Sequence, residues 1–193
     1  MSGIFVVTDD GELPFHFSRP PHHPMGATFD YLDGYYVWFK ISDHCNGLLL
    51  IGDLVVNPAT RQWARLPYSP PYPPPMASLN AYYSCITCKY LAFDPTISPH
   101  YEVFRIHDTV PSGYNEERVE AEWPPPQYNL RVFSSSTWQW EVKTFVREGD
   151  AAGDLAYMPS DSPAGSYYGA YWRGCLYVRI GRASCRERVY VLV

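Results

Sequence analysis

Four short stretches of the chain carry residue types able to do chemistry. In "DHCNG" the run Asp43, His44, Cys45 has the makings of a base-assisted thiol nucleophile. Neighbours in an extended chain point to opposite sides, which is poor geometry for such a set, so the stretch is read as a structural approach to the strand opened by Gly47. Cys85 and Cys88 in "CITC" have metal or redox spacing, but no second CxxC, no HxxxH and no βαβ pattern accompanies them. Inside "YYSCITCKYLAF" they are read as small apolar residues of a part-buried strand. His22 and His23 stand among prolines without a third ligand at suitable spacing, and are read as a solvated loop. Glu116, Glu117, Glu120 and Glu122 near Trp123 supply paired carboxylates of the kind that hydrolyse glycosides, yet one loop does not fix their separation. No Gly-rich phosphate loop, GxSxG or HExxH occurs. The expectation is a protein that is not an enzyme and uses no cofactor and no metal.

The elements that must position any binding residues are β-strands. The chain has 193 residues, long enough to bury about 70% of its unfolded surface in one large unit. Seventeen Tyr, 6 Trp and an aromatic share of 17% favour strands and interfaces, and 19 prolines oppose long helices. Formal charge is −5 with Lys and Arg scattered, which gives no footprint for nucleic acid. No apolar run approaches the ~20 residues of a membrane span, and "MSGIFVVTDDGELP" lacks the features of a signal peptide. Cys45, Cys85, Cys88, Cys175 and Cys185 are odd in number and without framework spacing, so reduced thiols and a cytoplasmic or nuclear location are expected.

Short apolar or alternating runs between Gly, Pro, Asn, Asp and Ser clusters predict strands over 4–8, 35–41, 47–51, 53–56, 62–66 and 82–93. Further strands are predicted over 101–106, 128–133, 138–146, 167–172 and 175–179. Only "EERVEAEW", 116–123, resembles a helical turn, and the prolines after it end it. Proline-rich stretches at 18–24, 68–76 and 123–128 are read as stiff crossings rather than polyproline ligands. Residues 147–166 read as a polar loop.

One hairpin pattern recurs. In "LVVNPATRQWARLP" Val55 and Val56 end a strand, Asn57, Pro58 and Thr60 make a turn, and Trp63 lies on the return. In "LRVFSSSTWQWEVKT" Phe133, Thr137 and Trp140 stand 77 residues after Val56, Thr60 and Trp63. Gly47-Leu48-Leu49 is echoed by Gly174-Cys175-Leu176 after Trp172, and Asp94-Pro95 repeats Asn57-Pro58 in a third hairpin. Recurring hairpins with Trp at a fixed place predict stacked sheets, as in propeller blades, with the Trp packed between them.

The ordered set "DHCNGLLLI", "LVVNPATRQWARLP", "YLAFDPTISPHYEVFRI", "LRVFSSSTWQWEVKTFVREGDAAG" and "YWRGCLYV" resembles the associated domain of plant F-box proteins, over about 43–178. The resemblance implies a kelch-like β-propeller-type domain that binds a target protein for a Skp-Cullin-F-box ubiquitin ligase. The adaptor-binding F-box itself has no match in this sequence, so Skp-type adaptor and cullin partners are expected only through an upstream F-box. About four blades of ~40 to 50 residues is the most the chain holds, and an incomplete ring is expected. Target binding is expected on loops, with Tyr72, Tyr114 and Trp123 as aromatic anchors. The alternatives are a carbohydrate-binding β domain and a non-functional gene fragment. The expected organisation is one domain over 1–179 and a non-native tail over 180–193. "IGRASCRERV" carries +2 in ten residues. Its codons can spell ATC GGA AGA GCG TCG TGT AGG GAA AGA GTG, which resembles a sequencing-library adapter.

Overall fold

The computed structural model describes residues 3–6, 15–18, 29–32, 41–70, 83–111, 122–123, 125–151, 153–154, 169–178 and 189–192. The chain divides into two compact units, Met1–Leu66 and Pro67–Val193. The class is all-β with antiparallel sheets, as the turn-rich pattern predicts, and a single 3-10 turn is the helical element among the described residues. No helix among them is long and apolar enough to cross a membrane.

In the first unit β1 (Gly3–Val6) pairs with β2 (Phe15–Ser18), and a 3-10 turn occupies Asp30–Leu32. A four-stranded meander follows: β3 (Ile41–Cys45), β4 (Leu48–Ile51), β5 (Leu54–Asn57) and β6 (Gln62–Arg65), each strand paired with the next. Alternation sends Leu49, Ile51, Leu54 and Val56 to one face, where they pack with Phe29, Leu32, Tyr31 and Ile41. Leu48, Leu50 and Val55 on the other face are buried as well, which is why "LLLI" reads as a continuous apolar run rather than an alternation.

Two strands here escape sequence reasoning. Phe15–Ser18 is too short and polar to stand out. The strand predicted over 35–41 meets β3 only at Ile41, and 33–40 lie outside the described residues. The polar "SDHC" becomes a strand because the turn at Asn46-Gly47 brings it into register with β4, with an irregularity between Ile41 and Asp43.

The second unit contains β7 (Tyr83–Ala92), β8 (Glu102–Pro111), β9 (Glu122–Trp123), β10 (Gln127–Ser134), β11 (Gln139–Val146), β12 (Gly153–Asp154), β13 (Gly169–Trp172), β14 (Cys175–Val178) and β15 (Val189–Leu192). Strands β7, β8, β10 and β11 make a second four-stranded meander, β9 and β12 a short ribbon, and β13 to β15 a three-stranded sheet. Tyr90, Phe104, Ile106, Leu130 and Val132 on one face of the large sheet form a core with Leu176 and Val178 of β14. A Cβ built at Gly169 would overlap the Tyr90 ring, so glycine is what permits that approach. Leu91, Val103 and Phe133 on the opposite face are fully buried too. The helical turn read over 116–123 is not what Glu122 and Trp123 adopt, since tertiary pairing with β12 draws them into a strand; 116–121 lie outside the described residues.

Candidate interaction surface

The repeated hairpins share their turn geometry as well as their letters. Asn57 Oδ1 accepts the N–H groups of Ala59 and Thr60 at 3.0 and 3.3 Å, Pro58 sets the turn, and Arg61 closes it in the left-handed region at φ 58°. The Thr60 hydroxyl donates to Gln62 Oε1 at 3.2 Å. In the later copy Ser134 Oγ accepts the Ser136 N–H at 3.3 Å, Thr137 is exposed in the turn, and Trp138 closes it at φ 60°. Val56 faces Trp63 across one hairpin and Phe133 faces Trp140 across the other. Both hairpins join the last two strands of their four-stranded meanders.

The first hairpins of the sheets also correspond. Asn46 and Gly47 stand at φ 43° and 88°, Arg173 and Gly174 at φ 50° and 78°, so both are two-residue turns with two positive φ angles. Between β7 and β8, Asp94 Oδ1 accepts the Thr96 hydroxyl at 2.6 Å and the Thr96 N–H at 2.9 Å, with Pro95 between them. Those two bonds, the hydroxyl foremost, hold the exposed Asp94 carboxyl below its ordinary pKa.

The two matching tryptophans end in different surroundings. Trp140 is half-buried, its Nε1–H donates to the Pro67 carbonyl at 2.9 Å, and its ring lies 5.6 Å from Phe133. Trp138 meets Phe133 edge-on at 5.3 Å, and Tyr101 lies 6.2 Å from the same ring. Trp63 is 39% exposed. The exposed Arg65 lies on the same side of β6, opposite Leu54, and the exposed Arg61 in the turn before the strand sets its guanidinium 5.0 Å above the Tyr31 ring. A second aromatic patch lies at the β13–β14 turn, where Trp172 is 57% exposed under the Arg173 guanidinium at 4.4 Å and 6.4 Å from Tyr177.

Among the described residues the chemical candidates are not assembled into a reactive site. Cys45 is buried while His44 is exposed, and Asp43 Oδ1 accepts the His44 N–H at 2.8 Å. Cys85 stands in β7 and Glu122 pairs with Arg147 at 3.0 Å. Among the described residues no three or more His, Cys, Asp or Glu side chains come together as a metal site. Of the expected anchors, Trp123 is placed in β9, whereas Tyr72 and Tyr114, like His22 and His23, lie outside the described residues. The exposed Arg61, Arg65 and Trp172 were not singled out as binding residues. The signal for one of them, Arg61, was present, as it was for the exposed Arg173: a bulky residue where a turn needs positive φ. In comparisons with known proteins, no family model, no curated protein and no solved structure matches the chain.

Proposed function

We propose that this chain is a protein-recognition module of propeller-type blades, the target-binding part of an F-box-type receptor for a Skp-Cullin-F-box ubiquitin ligase working in the cytoplasm or nucleus. One observation carries the reading: the 77-residue repeat falls on the same hairpin of two separate four-stranded meanders, with the same side-chain-capped, left-handed turn. The inner strands of both meanders are buried on both faces, as blades within a stack require. A scaffold so repeated leaves recognition to the residues that differ between copies. The module takes no cofactor and does no chemistry of its own; adaptor and cullin are its partners only if an F-box lies upstream.

The carbohydrate reading draws on exposed Trp172 beside Tyr177, a platform on which a sugar face can stack. An affinity pull-down with quantitative mass spectrometry and a glycan array decide between the two. The expected result is one or a few enriched proteins and an empty array; glycan binding with no protein partner would reverse the assignment.

A further inference from the structure

We infer that the exposed residues at the β6 edge are a docking strip for an extended acidic protein segment, an inference that rests on the protein-recognition reading and gives it a partner chemistry. Trp63 and Arg65 lie on one side of this edge strand, opposite Val56 and Leu54, and Arg61 in the turn before it stacks on Tyr31, which packs on that same side; all three are exposed. The order is cation, aromatic, cation, the last two about 7 Å apart along the strand. Its complement is a segment of the pattern carboxylate, any residue, apolar residue, any residue, carboxylate, laid along the strip so that the apolar side chain meets the indole.

The charges are not demanded by the hairpin. In the copy 77 residues later the scaffold positions keep their types, with Gln62 and Trp63 matched by Gln139 and Trp140, while Arg61 and Arg65 are replaced by Trp138 and Val142. Position 61 needs φ 58°, which Gly or Asn adopts with less strain than Arg. The matching position holds Trp138 at φ 60°, so the turn itself does not call for arginine, and stacking on Tyr31 holds the guanidinium in place before a ligand arrives. Guanidinium forks bind carboxylates with directional hydrogen bonds, and a flanked Trp supplies apolar area at the centre of the strip. A chain of net charge −5 in which this cationic strip is short suits an acidic peptide better than a phosphate backbone.

The test is fluorescence anisotropy of the whole chain with a labelled peptide Gly-Glu-Ser-Leu-Ser-Glu-Gly, its Lys-for-Glu counterpart and a labelled single-stranded oligonucleotide. The acidic peptide binds and the lysine peptide does not. Arg61→Gly, which melts no lower than the parent because it relieves the left-handed turn, weakens binding about threefold; Arg65→Gln does the same, and the pair together about tenfold. Affinity falls as salt rises from about 0.05 to 0.5 M. Absence of peptide binding, equal binding by the double variant, or tighter binding of the oligonucleotide overturns the strip. If the double variant still enriches the partner found by pull-down, the strip falls while the protein-recognition reading stands; if neither form enriches any protein, that reading falls.

Discussion

At the scale of single residues, the turns are held by short polar side chains. Asn57 Oδ1 is the acceptor for two backbone amides, so Asn57→Ala should cost about 1 kcal/mol in urea unfolding while Asn57→Asp, which keeps the acceptor, costs little. Tyr101 carries the opposite kind of polar group: its hydroxyl is buried with no hydrogen-bond partner among the described residues, and burial raises its pKa. A raised folded-state value means the native state holds that proton more tightly than the unfolded chain. The contribution is therefore complete below the ordinary tyrosine pKa of about 10 and is lost as pH rises through the higher native value. Tyr101→Phe removes both effects. It should stabilise the protein by up to about 1 kcal/mol at neutral pH and flatten the loss of stability above about pH 10, read from denaturant midpoints at several pH values.

At the scale of elements, the two hairpins offer a comparison that cancels local propensity. Trp140→Phe loses the bond to the Pro67 carbonyl and buried area against Phe133, and should cost about 1 to 3 kcal/mol; Trp63→Phe, at the matching but more exposed position, should cost less than 1. Equal losses in chemical denaturation would mean that the surroundings of the two rings do not differ in the way described. Sequence reasoning found both hairpins because Asn57-Pro58, Asp94-Pro95 and the paired apolar residues act locally, through turn dihedrals and side-chain caps. It expects both tryptophans between sheets; the structure shows Trp140 half-buried and Trp63 more exposed. How deeply a ring is buried depends on chain segments distant in sequence, such as Pro67 against Trp140, which no local pattern encodes. The thiol set, by contrast, was legible as unreactive for a local reason: Asp43, His44 and Cys45 are adjacent in the sequence, and strand alternation separates their side chains.

At the scale of the whole molecule, Met1–Leu66 and Pro67–Val193 are separate compact units, each centred on a four-stranded meander. Native-state hydrogen exchange should find the slowest amides in the inner strands β4, β5, β8 and β10, in two groups with distinct protection levels, one per unit. A single shared protection level across all four strands would mean that the units open as one. The all-β class was legible because aromatic content, prolines and turn residues act everywhere along the chain. The division after Leu66 was not, since it follows from contacts among strands rather than from a change of composition.

The approach of β13 to β7 makes two distant positions a single evolutionary character. Tyr90 fills the space in which any Cβ at residue 169 would sit, so Gly169→Ala should cost about 1 to 3 kcal/mol, and Tyr90→Leu made alongside should recover part of it. Substitution at one site is thus conditional on the other. A lineage that loses the aromatic ring at 90 becomes free to explore 169, and one that keeps it does not.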